Sequence, residues 1–196
     1  RQHAGDPAKI QDCLDKILTS GQSLQALIDD VLDISRIESG EFRVVPQPME
    51  LHELFDFYSQ AAHGMAAEKH LTFTGRMHDI KHDTLAADPV RMGQVYMNLL
   101  SNAVKYTPEG GQIRVSVESW EMYVKIDIAD TGIGISEQHQ GAIFKRFYRE
   151  DIVHDVDGIG IGLYLAREIV TLQGGYIRVT SEVGRGSTFS VFLPRQ

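Results

Sequence analysis

Two glycine-rich stretches, DTGIG at residues 130–134 and GIGIG at residues 158–162, could either form simple turns or hold a ligand between them. Asp130 ends an alternating apolar run, where a carboxylate can accept a hydrogen bond from an exocyclic amine. Gly132 and Gly134 leave room for a flat ring to approach the backbone. An Asp-Thr-Gly sequence after a strand is more often an ordinary turn, so this stretch alone does not establish a site.

The second stretch opens a helix at Gly162, so its backbone N–H groups and the positive helix end suit a phosphate group. It is not a Walker loop, because no Gly-Lys-Ser/Thr sequence follows. It also does not open a βαβ unit in the manner of dinucleotide-binding proteins. Phosphate binding and a purely structural turn are both compatible with this stretch taken by itself.

A third group of polar residues lies in the segment NLLSNAVKYTP. Asn98 and Asn102 are four residues apart and share a helix face, and Lys105 follows one turn later. Asn102 can offer an oxygen to Mg²⁺, which keeps several waters and takes few protein ligands, and Lys105 can contact phosphate oxygens. The alternative is that neighbouring backbone groups satisfy both amides, since burying them without partners is costly.

A long helix precedes these motifs. Apolar or small residues recur at alternating steps of four and three from Ile10 to Ile37, which predicts one helix with a heptad-like stripe. Further apolar residues widen the stripe, as in a helix packed inside a bundle. Asp6-Pro7 predicts its start and Ser39-Gly40 its end, so we expect domains at 1–40 and 41–196. An amphipathic helix docked on its own domain is the alternative.

The remaining elements mix helices and strands without a regular βαβ repeat. We therefore expect an α+β fold, a two-layer α/β sandwich with a mixed, mostly antiparallel sheet, preceded by the long helix. Helices are predicted at 50–69, 89–106 and 162–172, with a short one around 137–146. Extended segments are predicted within 41–51 and at 71–77, 112–120, 123–130, 176–183 and 187–194.

Composition and charge exclude several classes of protein. An apolar fraction of 42% and a charged fraction of 23% are ordinary for a globular protein. The net charge of −8 argues against a nucleic-acid-binding surface. The single cysteine, Cys13, excludes an internal disulfide framework and favours a reduced compartment, and no apolar run is long enough to span a bilayer. We expect a cytoplasmic domain whose parent protein can still be membrane-anchored.

Taken together and in this order, these stretches resemble the catalytic core of a sensor histidine kinase, in the superfamily of gyrase, chaperone, histidine-kinase and MutL ATPases. NLLSNAVKYTP is similar to the asparagine box of that family, and DTGIGI and GIGIGLYLAREIVTLQGG are similar to its two glycine boxes. FKRFYRE is similar to its phenylalanine box, and GRGSTFSVFLP to its closing segment. The helix ending LIDDVLDISRIESG resembles the second helix of the dimerisation and phosphotransfer hairpin.

The resemblance implies ligands, partners and residue roles. ATP and Mg²⁺ would bind, a response regulator receiver domain would be the partner, and a homodimer would form through the hairpin. Asp130 would recognise the adenine amino group, Gly132 and Gly134 would admit the ring, and the segment between the glycine boxes would form a lid. Catalytic roles fall to Asn98, Lys105 and Arg149, metal binding to Asn102, and further nucleotide contacts to Tyr106, Ile135, Tyr148, Gly158, Gly160, Gly162, Leu163 and Thr188.

Two positions depart from the patterns of related proteins. Asn98 occupies the place where ATP-hydrolysing members of the superfamily carry a Glu that activates water. An amide cannot take a proton, so we expect poor hydrolysis and transfer to another nucleophile. Ile159 stands where kinases usually place Thr or Ser, which puts a minor phosphate-side hydrogen bond in question.

The chain carries no His on its predicted bundle helix. The family phosphorylates a His that lies on a hairpin helix and is immediately followed by Glu or Asp. Four of the eight histidines are followed by such an acid, but all four lie beyond the long helix, at His52, His78, His82 and His154. We therefore expect the acceptor helix to lie outside this sequence. Two other functions stay open: a nucleotide-gated interaction module without transfer, which the intact motifs disfavour, and a hydrolysing relative, which Asn98 and the bundle-type helix disfavour.

Overall fold

The chain divides into two compact units, Arg1–Phe42 and Arg43–Gln196. The computed structural model describes residues 7–78, 84–148 and 159–195, except for the side chains of Thr19 and Ser23. The boundary expected from the sequence followed residue 40, and the division in the structure follows Phe42.

In residues 7–42 the first unit consists of one long helix, α1 (Pro7–Glu38), and the turn that ends it. Gly40 has a positive φ of 71°, and the Gly40 and Glu41 N–H groups donate to the carbonyls of Ile37 and Arg36 at 3.1 and 2.8 Å. This is a Schellman C-cap, as Ser39-Gly40 predicts. Asp6, the expected N-cap, lies outside the described residues. Much of the predicted stripe is exposed, namely Ile10, Leu14, Ile17, Leu24, Ile28 and Val31.

The second unit contains a five-stranded sheet whose strands, in spatial order, are β2 (Thr72–Met77), β4 (Gln112–Ser119), β5 (Tyr123–Asp130), β7 (Gly186–Pro194) and β6 (Tyr176–Glu182). Only β2 and β4 run parallel, so the predicted mixed, mostly antiparallel sheet is confirmed. A separate antiparallel pair joins β1 (Gln47–Glu50) to β3 (Thr84–Ala87), and β3 was not predicted.

Helices form the second layer: α2 (Leu51–Glu68), α3 (Pro89–Tyr106) and α5 (Gly162–Leu172), with a single short turn of helix, α4 (Glu137–Gln140). Alternate strand positions supply the buried face of the sheet, namely Ile113, Val115 and Val117, Val124, Ile126 and Ile128, and Phe189, Val191 and Leu193. The intervening positions are exposed or half-buried except for Gly186 and Phe192 in β7, which gives the expected two layers.

Local capping signals explain where α3 begins. The Asp88 carboxylate accepts hydrogen bonds from the Val90 and Arg91 N–H groups at 3.1 Å, and Pro89 occupies the first helical position. α4 is shorter than predicted, because Gly141 follows it and the chain continues in turns. Within the described ranges, no helix is both long enough and apolar enough to cross a membrane.

Candidate functional site

Asp130 lies at the end of β5, where its side chain is fixed by two backbone groups. Its Oδ1 accepts hydrogen bonds from the Gly132 N–H at 2.8 Å and the Ser187 N–H at 3.3 Å. Among the described residues, Oδ2 accepts no hydrogen bond, so it is the oxygen that can receive a donor from a ligand. The carboxylate is therefore held in one orientation before any ligand arrives.

Burial raises the pKa of Asp130 above the ordinary value of an Asp, and the hydrogen bonds from Gly132 and Ser187 oppose this shift by lowering it. The desolvated carboxylate gains more from a donor such as an exocyclic amine than an exposed carboxylate would. The site thus keeps an acceptor at a position where water is partly excluded.

The glycines after Asp130 pack against backbone atoms of neighbouring segments. A Cβ on Gly132 would lie 2.5 Å from the Tyr106 carbonyl oxygen, and one on Gly134 would lie 2.1 Å from the Glu182 carbonyl oxygen. Gly134 also has a positive φ of 71°. These glycines are therefore required by close packing within the protein. The sequence analysis, in which they admit the ring of a ligand, did not supply this reason.

The turn continues into Ile135, which the structure ties to the β6–β7 hairpin. The Ile135 N–H donates to the Ser181 Oγ at 2.8 Å, and the Gln140 side chain donates to the carbonyls of Ile135 and Ser181 at 3.1 and 2.9 Å. Ser181 Oγ also lies 2.9 Å from Ser187 Oγ. The turn and the hairpin thus form one hydrogen-bonded assembly around Asp130.

Thr188 is not brought to Asp130. It pairs with Ala129 and Thr180, whereas Ser187 is the register partner of Asp130. Because side chains alternate along a strand, Thr188 projects from the opposite face of the sheet to Asp130. Ser187, which sequence reasoning missed, is buried beside the carboxylate. The alternation of Phe189, Val191 and Leu193 could have identified its face.

The helix α3 carries the predicted phosphate-side and metal residues. Asn98 donates its side-chain amide to the Gly162 carbonyl at 3.2 Å, which joins α3 to the start of α5. The backbone-bonded alternative therefore holds for this amide group. Asn102, half-buried one turn later on the same face, makes no side-chain hydrogen bond among the described residues. Lys105 and Tyr106 follow, with the Lys105 Nζ 5.1 Å from the centre of the Tyr106 ring.

The segment leading into α5 is held close to Tyr148. The Phe147 N–H donates to the Gly160 carbonyl at 3.0 Å, and Gly160 has a positive φ of 76°. A Cβ on Gly160 would lie 2.6 Å from the Tyr148 carbonyl oxygen. Arg149 and Gly158, two other predicted site residues, lie outside the described residues.

The start of α5 lacks a side-chain cap among the described residues. Gly162 and Leu163 form its first turn, and a Cβ on Gly162 would lie 3.3 Å from the Asn98 side chain. The first-turn N–H groups of this helix are thus available to an anion.

The donor set for a metal ion is sparse. Within the described ranges there is no group of three or more His, Cys, Asp or Glu residues that could hold a metal ion. This excludes a dedicated protein cage there, but it fits Mg²⁺ held mainly by phosphate oxygens and water with one amide oxygen, such as that of Asn102.

Comparison with known proteins gives consistent matches. A model of the histidine kinase-, DNA gyrase B-, and HSP90-like ATPase family matches residues 87–196. The circadian input-output histidine kinase CikA of Synechococcus elongatus is 37% identical over 183 residues, which cover 90% of this chain and 24% of CikA. This chain therefore spans about a quarter of the length of that relative.

Two solved structures extend the likeness. Full-length ShkA in complex with AMPPNP superimposes with a TM-score of 0.82 at 25% identity, covering 94% of this chain and 38% of ShkA. The histidine kinase ThkA, in complex with the response regulator protein TrrA, superimposes with a TM-score of 0.71 at 21% identity, covering 100% of this chain and 54% of the other. The second likeness shows the shared fold.

Proposed function

Because the chain belongs to the histidine kinase-, DNA gyrase B- and HSP90-like ATPase family, we propose that it is the ATP-binding catalytic part of a sensor histidine kinase. The observation that carries this proposal is the Asp130 side chain, whose Oδ1 is fixed by two backbone N–H groups while Oδ2 is left to a ligand. The ShkA structure, determined with AMPPNP, supports an adenine nucleotide as that ligand.

Asp130 selects adenine over guanine in this proposal. Its Oδ2 accepts a hydrogen bond from the adenine amino group, whereas the carbonyl of guanine would set an oxygen against the carboxylate. A buried acceptor without its donor costs about 1–3 kcal/mol, which makes the discrimination substantial. Ser187 and the 130–134 turn hold the carboxylate. Ile135 lies at the end of that turn, and Tyr106 lies at the end of α3.

The phosphate groups of ATP would lie between α3 and the start of α5. Lys105 supplies a cation, and the first-turn N–H groups of α5 at Gly162 and Leu163 supply donors. Asn102 would offer its amide oxygen to Mg²⁺, which neutralises charge on the phosphate oxygens when it is bound. Gly160 and Tyr148 border this region, and Arg149 and Gly158 are proposed to complete it.

Phosphoryl transfer, rather than hydrolysis, fits the side chain at position 98. The Asn98 amide is engaged by the Gly162 carbonyl and has no basic group with which to deprotonate water. The acceptor we propose is a His on the first helix of a dimerisation hairpin, of which α1 forms the second helix. The exposed apolar stripe of α1 suits such a partner and a homodimer.

A response regulator receiver domain is the proposed downstream partner, in a cytoplasmic setting. The ThkA complex contains a response regulator protein, which supports this partner. The net charge of −8 does not favour nucleic acid as a partner.

Calorimetry with Mg·ATP and Mg·GTP tests the nucleotide assignment. We expect wild-type protein to bind ATP and not GTP, and Asp130→Asn to weaken ATP binding by about tenfold to hundredfold through loss of the charged acceptor. Asp127→Asn is the matched control, because Asp127 lies on the same strand and pairs with Lys125 and Ser190 on the opposite face of the sheet. Unchanged ATP affinity in Asp130→Asn would refute the assignment.

Incubation with γ-labelled ATP tests the transfer assignment. We expect this chain to remain unlabelled, because none of its eight histidines lies on the hairpin helix α1. Adding a separately expressed hairpin helix with a phosphoacceptor His should place acid-labile label on that helix. Acid-labile label on this chain itself would contradict the assignment.

A further inference from the structure

Lys69, at the end of α2, fastens the last turn of α3. Its Nζ donates hydrogen bonds to the carbonyl oxygens of Val104 at 2.9 Å and Lys105 at 2.8 Å. The last carbonyls of a helix have no partner within the helix, and a cation is favoured there by the helix dipole. One half-buried ammonium group thus satisfies two otherwise unpaired acceptors at the point where α3 presents Lys105.

The neighbouring carbonyls of the same turn have their own donors. The Ala103 carbonyl accepts from the Thr107 hydroxyl at 2.6 Å and from its N–H at 3.2 Å. The Tyr106 carbonyl accepts from the Ile133 N–H at 3.2 Å. The last four carbonyls of α3 are therefore all satisfied, and the final one joins the helix directly to the glycine turn that follows Asp130.

The backbone at the end of α2 fixes the place from which Lys69 reaches α3. The N–H groups of His70 and Leu71 donate to the carbonyls of Ala67 and Ala66 at 3.1 and 2.8 Å, which is a Schellman C-cap. His70 takes the left-handed position with a φ of 53°. Lys69 is the C-cap residue of this motif, so the hydrogen bonds of the motif fix the conformation of its backbone.

We propose that Lys69 is a positioning residue for the nucleotide site. It lies outside every motif that carries the family resemblance, yet it holds the turn of α3 from which Lys105 and Tyr106 extend and to which Ile133 is bonded. What those positioned residues bind rests on the proposed function. The positioning itself is a property of the contacts described above.

Removing the ammonium would leave two helix-end carbonyls without their donor. Without that donor the last turn of α3 would loosen. The bond from Ile133 to the Tyr106 carbonyl would loosen with it, and with that bond the turn that carries Gly132. The two ends of the nucleotide site would then no longer keep a fixed separation.

Three variants of the chain test this proposal. Lys69→Met keeps most of the length of the side chain and removes the charge and the donors, and Lys69→Arg restores donors for two carbonyls. Lys125→Met is the matched control, because the Lys125 Nζ pairs with the Asp127 carboxylate at 2.6 Å on the opposite face of the sheet. All measurements are made well below the unfolding temperature of each variant.

We expect Lys69→Met to weaken Mg·ATP binding by about tenfold in calorimetry, Lys69→Arg to recover most of it, and Lys125→Met to stay within about twofold of wild type. A Lys69→Met affinity within about twofold of wild type, an equal loss in Lys125→Met, or a loss that Lys69→Arg does not recover would overturn the proposal.

Hydrogen exchange without nucleotide separates this proposal from the proposed function. In Lys69→Met the amide of Ile133 should exchange about tenfold faster than in wild type, whereas Lys125→Met should leave it unchanged. Unchanged Ile133 exchange would refute the positioning role even if ATP binds. Wild-type protein that binds no Mg·ATP would refute the proposed function, while the exchange result would still decide the role of Lys69.

Discussion

The two ends of the candidate site are held in different ways. Around Asp130 the protein supplies nearly every contact itself: two N–H groups bind one carboxylate oxygen, and Gly134 and Gly186 pack directly against backbone. At the phosphate side, the Asn102 side chain makes no hydrogen bond among the described residues, and α5 begins without a side-chain cap there. The base end is built before the ligand arrives, and the phosphate end offers groups for a ligand to engage.

This difference matches what each end has to bind. A flat neutral ring is recognised by shape and by one or two hydrogen bonds, so a rigid acceptor gives selectivity. Phosphate groups and Mg²⁺ carry strong charge and their own water, so the first-turn N–H groups of α5 and one amide oxygen, none of which has a side-chain partner in the described part of the chain, suffice. Substitutions of the packed glycines at the base end should therefore cost stability, and substitution of Asn102 at the phosphate end should cost binding.

The largest effect is expected at Gly134. Gly134→Ala would place a Cβ 2.1 Å from the Glu182 carbonyl oxygen at a φ of 71°, so either the turn or the hairpin must move. We expect the free energy of unfolding to fall by about 2–4 kcal/mol in urea titration.

Gly184→Ala separates the clash from the backbone strain. Gly184 has a similar φ of 78°, but a Cβ there would meet nothing within 4 Å. We expect a loss of about 1 kcal/mol from the left-handed conformation alone. Equal losses in the two variants would show that the base end is not rigidly packed and would remove the contrast between the two ends.

Asn102→Ala should have the opposite profile. Because the side chain makes no hydrogen bond among the described residues, its removal should change the free energy of unfolding by less than about 0.5 kcal/mol. Magnesium-dependent ATP affinity should fall by roughly tenfold or more, measured by calorimetry with and without Mg²⁺.

Asn98→Ala is the comparison for Asn102 on the same helix face. It removes the hydrogen bond to the Gly162 carbonyl, so unfolding should become easier by about 1 kcal/mol. Wild-type magnesium dependence in Asn102→Ala would remove Asn102 from the metal site.

Local signals made much of this fold predictable. The bounds of α3 follow from Asp88 and Pro89 at its start and from Thr107-Pro108 at its end. The end of α5 follows from Gly174-Gly175. β3 was missed because four residues, Thr84–Ala87, carry too short a pattern and pair only with β1. Its existence depends on a tertiary contact that no local pattern contains.

The site was less predictable where contacts between distant residues decide it. The amide of Asn98 is engaged by a carbonyl 64 positions away, and Lys69 reaches carbonyls 35 and 36 positions away. No residue near Lys69 in sequence indicates those acceptors. The expectation for Thr188 did not fail for want of a local signal, because the apolar alternation in β7 already pointed to Ser187.

The smallest expected effect is the decrease in the free energy of unfolding that the buried Asp130 carboxylate causes in the ligand-free domain. Burial raises the pKa of this carboxyl in the folded state, so the folded state favours the protonated form. The stabilising contribution of protonation is present below the unfolded-state pKa and is lost as the pH rises through the folded-state pKa.

Asp130→Asn keeps an oxygen to accept from Gly132 and Ser187 and removes the charge. It should therefore be more stable than wild type at pH 7, and its advantage should shrink as the pH falls through that raised pKa. Urea titrations of both proteins across the acid range measure this, and a mutant less stable than wild type at pH 7 would show that the base end is held by the charge of Asp130 rather than by its geometry.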